Sequence, residues 1–65
     1  MDKNINFKLK MYRKRNKLTQ KDVAKLVNVS SDYISQIERG RLPGIVTALK
    51  LARLFDTSLE ELFTV

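Results

Sequence analysis

The sequence contains no cysteine and no histidine. A disulfide framework is therefore excluded, and so is a zinc site of the usual thiolate or imidazole kind. Oxygen-only metal sites stay formally open. Serine without histidine, and lysine without an evident apolar pocket, leave no activated nucleophile. Glu60 and Glu61 are adjacent, so on a helix they point apart and cannot work as a carboxylate pair. No catalysis and no cofactor are expected. Two glycines and one proline are too few for an all-β domain, and no six-residue segment alternates cleanly with period two. No run approaches the ~18 apolar residues of a membrane span. The opening MDKNINFKLK lacks the apolar stretch of a secretory signal. The expected location is the cytoplasm, where the absence of cysteine is at home.

What the chain has in excess is positive charge. The net charge is +6 over 65 residues. Residues 1–41 carry eleven Lys/Arg against four Asp/Glu, whereas residues 42–65 carry two against three. One half is strongly cationic and the other nearly neutral, which points to a polyanionic partner on one side. A membrane surface would attract the same cations, so charge alone leaves that alternative open. A chain of this size buries only ~60% of its unfolded surface, enough for one domain with a thin core and no evident ligand pocket.

The apolar spacing reads as five short helices. Ile5, Leu9 and Tyr12 recur at i, i+4, i+7 as the stripe of a first helix ending near Arg15; Phe7 and Met11 fall off it. Thr19 is an N-cap for a second helix, with Asp22 complementing its dipole and Val23, Leu26 and Val27 facing inward. Asn28 tolerates the left-handed conformation and can close that helix. Val29 is a buried turn residue, Ser30 caps a third helix, Ile34 and Ile37 line its inner face, and Gly40 ends it. After the loop Arg41-Leu42-Pro43-Gly44, the residues Ile45, Ala48, Leu49, Ala52 and Phe55 give a fourth stripe. Ser58 with Glu61 predicts a capping box for a last helix that buries Leu59 and Leu62. The whole, residues 1–65, is expected to be one all-α domain.

The segment 20–39, QKDVAKLVNVSSDYISQIER, concentrates the functional signal. Ala24 is small enough for a second helix to press on the first. Opposite the inward Ile34 and Ile37, the third helix presents Ser31, Asp32, Ser35 and Gln36, two i, i+4 pairs with no Lys or Glu to solvate the face. Glutamine can bond an adenine edge in bidentate fashion, serine either kind of edge, and aspartate the cytosine amino group. The pattern is that of a helix-turn-helix, whose second helix enters the major groove.

Here the chain resembles the Cro/CI-type, or XRE, family of small phage and bacterial regulators. LTQ (18–20), VAKLVNVS (23–30), ISQIERG (34–40) and SLEELF (58–63) stand in that family's order and approximate spacing, over residues 9–63. The resemblance implies a compact five-helix, lambda-repressor-like fold with the helix-turn-helix at helices 2 and 3. It also implies roles. Ser31, Asp32, Ser35 and Gln36 match base-facing positions. Gln20, Lys21, Ser30, Tyr33, Arg39 and Arg41 match positions near the sugar-phosphate backbone, with Gln20 also placed to brace Ser31 or Asp32. Arg13 and Glu38 match a partly buried ion pair joining the first and third helices. Three departures stand out: Asn28 where glycine is usual, Asp32 turned toward a polyanion, and a short 41–44 loop with Gly44 as cap. Asp32 must meet a base donor, be held by a neighbour such as Gln20, or reject wrong sequences.

The implied function is specific binding of double-stranded DNA as a transcriptional regulator, a repressor, acting as a homodimer without a small-molecule ligand. Val46, Leu54, Phe63 and Val65 are the candidate apolar dimer surface; the alternative is that they complete the core. Two rival functions stay open: an antitoxin-like interaction module whose DNA binding is autoregulatory, and a peripheral membrane domain using the cationic first helix.

Overall fold

Five helices form, and no strand occurs among the described residues. The computed structural model describes residues 8–63: α1 (Leu9–Arg15), α2 (Gln20–Val27), α3 (Ser31–Glu38), α4 (Ile45–Leu54) and α5 (Leu59–Phe63). The expectations for Ile5, Phe7 and Val65 lie outside those residues.

Side chains cap the heads of α2, α3 and α5. Thr19 Oγ1 accepts the Asp22 N–H at 3.0 Å while Asp22 Oδ2 accepts the Thr19 N–H at 2.8 Å. That reciprocal box satisfies two otherwise orphaned donors at the head of α2. Ser30 Oγ accepts the Tyr33 N–H at the head of α3. Gly44 opens α4 in extended backbone without a side-chain cap. At α5 only half of the expected capping box is present. Ser58 Oγ accepts the Glu61 N–H, but the Glu61 carboxylate turns away to Lys8 Nζ at 3.1 Å and Tyr12 Oη at 3.2 Å. A second tie at the same place, from the Lys8 N–H to the Leu62 carbonyl at 3.1 Å, pins α1 to α5.

The helix ends share one device. After each of α1 to α4 a residue with positive φ reverses the chain: Lys17 (59°), Asn28 (62°), Gly40 (112°) and Asp56 (51°). In each case its N–H bonds a carbonyl three residues back, and the next N–H bonds one five back: Leu18 to Arg13, Val29 to Ala24, Arg41 to Gln36, Thr57 to Ala52. These are Schellman closures. With two glycines in the chain, three of the four fall on residues that carry a Cβ.

The core gathers Leu9, Val23, Ala24, Val27, Ile34, Ile37, Leu51, Ala52, Phe55 and Leu62, with Tyr12, Leu18, Val29, Tyr33, Leu54, Leu59 and Phe63 packed partly against it. Three inward assignments are overturned, one on α2 and two on α4. Leu26 is 59% exposed: the buried arc of α2 runs through Val23, Ala24 and Val27, and at about 100° per residue Leu26 lies on the far flank from Ala24. On α4 the inner stripe is Ala48, Leu51, Ala52 and Phe55, leaving Ile45 and Leu49 exposed. Leu51 displaces Leu49 because it stands on the Ala48 and Phe55 side of the helix, toward α2 and α5.

Candidate nucleic-acid interface

The close approach of α2 and α3 depends on Ala24, 3% exposed, and on the left-handed turn at Asn28. With Ile34 and Ile37 locked into the core, the opposite side of α3 must face out. Asp32 is exposed there, and Ser31, Ser35 and Gln36 are half-exposed beside it. Tyr33 lies at the margin, its ring packed against the core and its hydroxyl accepting the Gly44 N–H at 3.0 Å.

Behind this face is a desolvated ion pair. Arg13 Nε and Nη2 grip Glu38 Oε2 and Oε1 at 2.6 and 3.1 Å, and Arg13 Nη1 donates to the Leu18 carbonyl at 3.0 Å. The side chains are 10% and 5% exposed. Charges this deep are tolerable because the fork geometry satisfies both partners. Gln20 Nε2 completes the cluster by donating to Glu38 Oε1 at 3.1 Å. Gln20 therefore braces Glu38, and not Ser31 or Asp32 as the sequence suggests. Its half-buried position at the first residue of α2 favours the tail of α3 over its head.

Asp32 is held from a different direction. Gln36 Nε2 donates to Asp32 Oδ2 at 2.7 Å, one helical turn away, and Gln36 Oε1 accepts from Arg41 Nη1. The Arg41 guanidinium lies over the Tyr33 ring, 5.0 Å from its centroid. Ser30 and Arg39, the residues that cap α3, are exposed, as is Lys21 in the first turn of α2; the Ser30 hydroxyl, already accepting at the cap, keeps its own hydrogen to donate.

The remaining cations are spread over α1, α2 and α4 and the residues flanking α1. Lys10, Lys14, Arg15, Lys17 and Lys25 are exposed, with Arg15 stacked over Tyr12 at 5.3 Å. Two carboxyls sit below their usual range. The Thr19 backbone N–H, then its hydroxyl, lowers Asp22; the Lys8 ammonium, by hydrogen bond and by charge, then the Tyr12 hydroxyl, lowers Glu61.

Of the expected dimer residues, Val46 is 63% exposed, whereas Leu54 and Phe63 pack partly against the core. Three further exposed apolar residues are absent from that expectation: Ile45 and Leu49 on the same helix as Val46, and Leu42 in the loop before it. Leu42 sits in a proline loop and the other two belong to the stripe assigned to the core, so periodicity concealed all three. Among the described residues no cluster of acidic residues suits a metal ion, and no helix is long and apolar enough to cross a membrane.

Comparison with known proteins agrees with this geometry. A family described as helix-turn-helix matches residues 9–62. A protein of Methanocaldococcus jannaschii, named as an uncharacterised HTH-type transcriptional regulator, is 42% identical over 57 residues, covering 86% of each chain. Two Archaeoglobus fulgidus proteins of the same description are 33% identical over 57 residues, covering 86% of this chain and 80% and 81% of theirs. The chain belongs to the XRE-type helix-turn-helix family, a family of DNA-binding transcriptional regulators.

Proposed function

We propose that this protein is a sequence-specific double-stranded DNA-binding regulator, a repressor that binds a two-fold symmetric operator as a homodimer. The observation that carries the reading is the outer face of α3, polar and free of lysine and glutamate, held rigid from behind by Arg13, Glu38 and Gln20. Ser31, Asp32, Ser35 and Gln36 read base edges in the major groove. Gln20, Lys21, Ser30, Tyr33, Arg39 and Arg41 fix the register on the sugar-phosphate backbone. Repression then needs no further activity, because a bound dimer excludes polymerase from an overlapping site.

One reading helix contacts only ~4–5 base edges, too few for genomic specificity, and a two-fold dimer doubles that number. Val46, with Leu42, Ile45 and Leu49 beside it, supplies the apolar surface, and Leu54 and Phe63 lend support from the core edge. The test of the reading face is Gln36→Ala. It is expected to cost ~1–3 kcal/mol at one base pair per half-site and to relax preference there. Equal loss on specific and random duplexes would remove Gln36 from the reading set.

A further inference from the structure

Gln36 is the centre of a hydrogen-bonded relay whose polarity is fixed. Asp32, on one side, is a carboxylate and only accepts; Arg41, on the other, is a guanidinium and only donates. With Nε2 on Asp32 and Oε1 facing Arg41, the amide has one stable orientation. Reversing it would set N–H against N–H and oxygen against oxygen. Arg41 is itself located by the fold. Gly40 turns the chain at φ 112°, the Arg41 N–H bonds the Gln36 carbonyl at 3.0 Å, and the guanidinium stacks over Tyr33, whose hydroxyl is held by Gly44.

The relay leaves a specific remainder. A primary amide has two N–H groups and two lone pairs, and one of each is in use. One N–H and one lone pair stay free, the set that adenine requires at N7 and N6. The relay also answers the charge of Asp32, since the carboxylate faces the polyanion as part of a unit balanced by Arg41.

We propose that Arg41 and Asp32 are positioning residues for base recognition, holding the Gln36 amide in the one orientation that selects its base. This rests on the DNA reading above and goes beyond it, because a backbone-contacting Arg41 would add affinity equally to every sequence. Base choice at one pair instead depends on a side chain that reaches the base only through the reader, by its bond to Gln36.

The experiment compares the unsubstituted protein with Arg41→Met, Gln36→Ala and the double variant. Affinities are measured for a selected operator and for duplexes changed at the pair where Gln36→Ala loses preference. The unsubstituted protein is expected to prefer its pair by about tenfold or more, and Arg41→Met to cut this to roughly threefold or less. In the Gln36→Ala background, Arg41→Met should leave preference at that pair unchanged. A common loss on all duplexes with preference intact overturns the inference and makes Arg41 a phosphate contact alone. In the free protein, the NMR order parameter of the Gln36 side-chain amide should fall in Arg41→Met; an unaltered value overturns the relay regardless of DNA. If the unsubstituted protein shows no base preference, the DNA reading falls and the inference with it, and the order parameter tells the two failures apart.

Discussion

Arg13 commits its guanidinium to three acceptors in two places, the Glu38 carboxylate and the Leu18 carbonyl. Removing either member of the pair strands a charge in a site about nine-tenths closed to water. Glu38→Ala or Arg13→Ala is therefore expected to cost about 3–5 kcal/mol, against roughly 3–10 kcal/mol that holds a domain this small together. Urea unfolding would show it. The Arg13→Met, Glu38→Leu pair together should lose less than the two single changes summed, because neither charge is left alone. At Lys17 the strain is of another kind. A side chain in the left-handed region is disfavoured by roughly 1–2 kcal/mol, so Lys17→Gly should raise the melting temperature despite the entropy glycine adds to the unfolded chain. A lower melting temperature would mean that the Lys17 side chain contributes more than its backbone costs.

Helix ends, more than helix interiors, define the elements here. The head of α2 depends on a carboxyl held below its usual range, Asp22 by Thr19, and the tie between α1 and α5 on another, Glu61 by Lys8 and Tyr12. Because both folded-state values are depressed, their contribution is complete above the ordinary carboxylate range and is lost as pH falls through the lowered values. Stability should thus decline as pH falls below the ordinary carboxylate range. The Asp22→Asn, Glu61→Gln double variant should be less stable at neutral pH and show a flatter acid limb. An unchanged acid limb would assign the loss to other groups.

Much of this was legible in the sequence, since a cap is a matter of residue type at one position. Thr19, Ser30, Asn28 and Gly40 announce their own backbone. α4 is different. Ile45, Val46, Leu49, Leu51 and Leu54 wrap it with apolar side chains on nearly every side, so periodicity has no empty face to exclude. Packing against α2 and α5 selected Ala48, Leu51, Ala52 and Phe55. The candidate site divides the same way. The Asp32 and Gln36 pairing is an i, i+4 step that sequence spacing contains. The Arg41 contact depends on the path of a loop set by Gly40 and stays invisible until the chain is folded.

Across the whole molecule, charge and shape set the terms of DNA binding. Lys21 at the head of α2 and Arg39 at the end of α3 are exposed. Replacing either with alanine should weaken binding to all sequences alike and lower the salt slope by about 0.9 for each phosphate no longer neutralised. A loss confined to the selected operator would make that residue a base reader. The domain measures 31 × 23 × 22 Å, close to the roughly 34 Å that separates half-sites one helical turn apart. In the proposed dimer, two copies at that spacing would meet only at their margins, around Val46 and its exposed neighbours. An interface so limited falls toward the weak class below ~1,200 Å², so dimers are expected to assemble chiefly on the operator. The most direct measurement is selection of bound sites from a pool of random duplexes. The expected result is a two-fold symmetric site whose half-sites are centred about 10–10.5 base pairs apart. Recovery of no sequence preference, with binding governed by salt alone, would contradict base reading by α3.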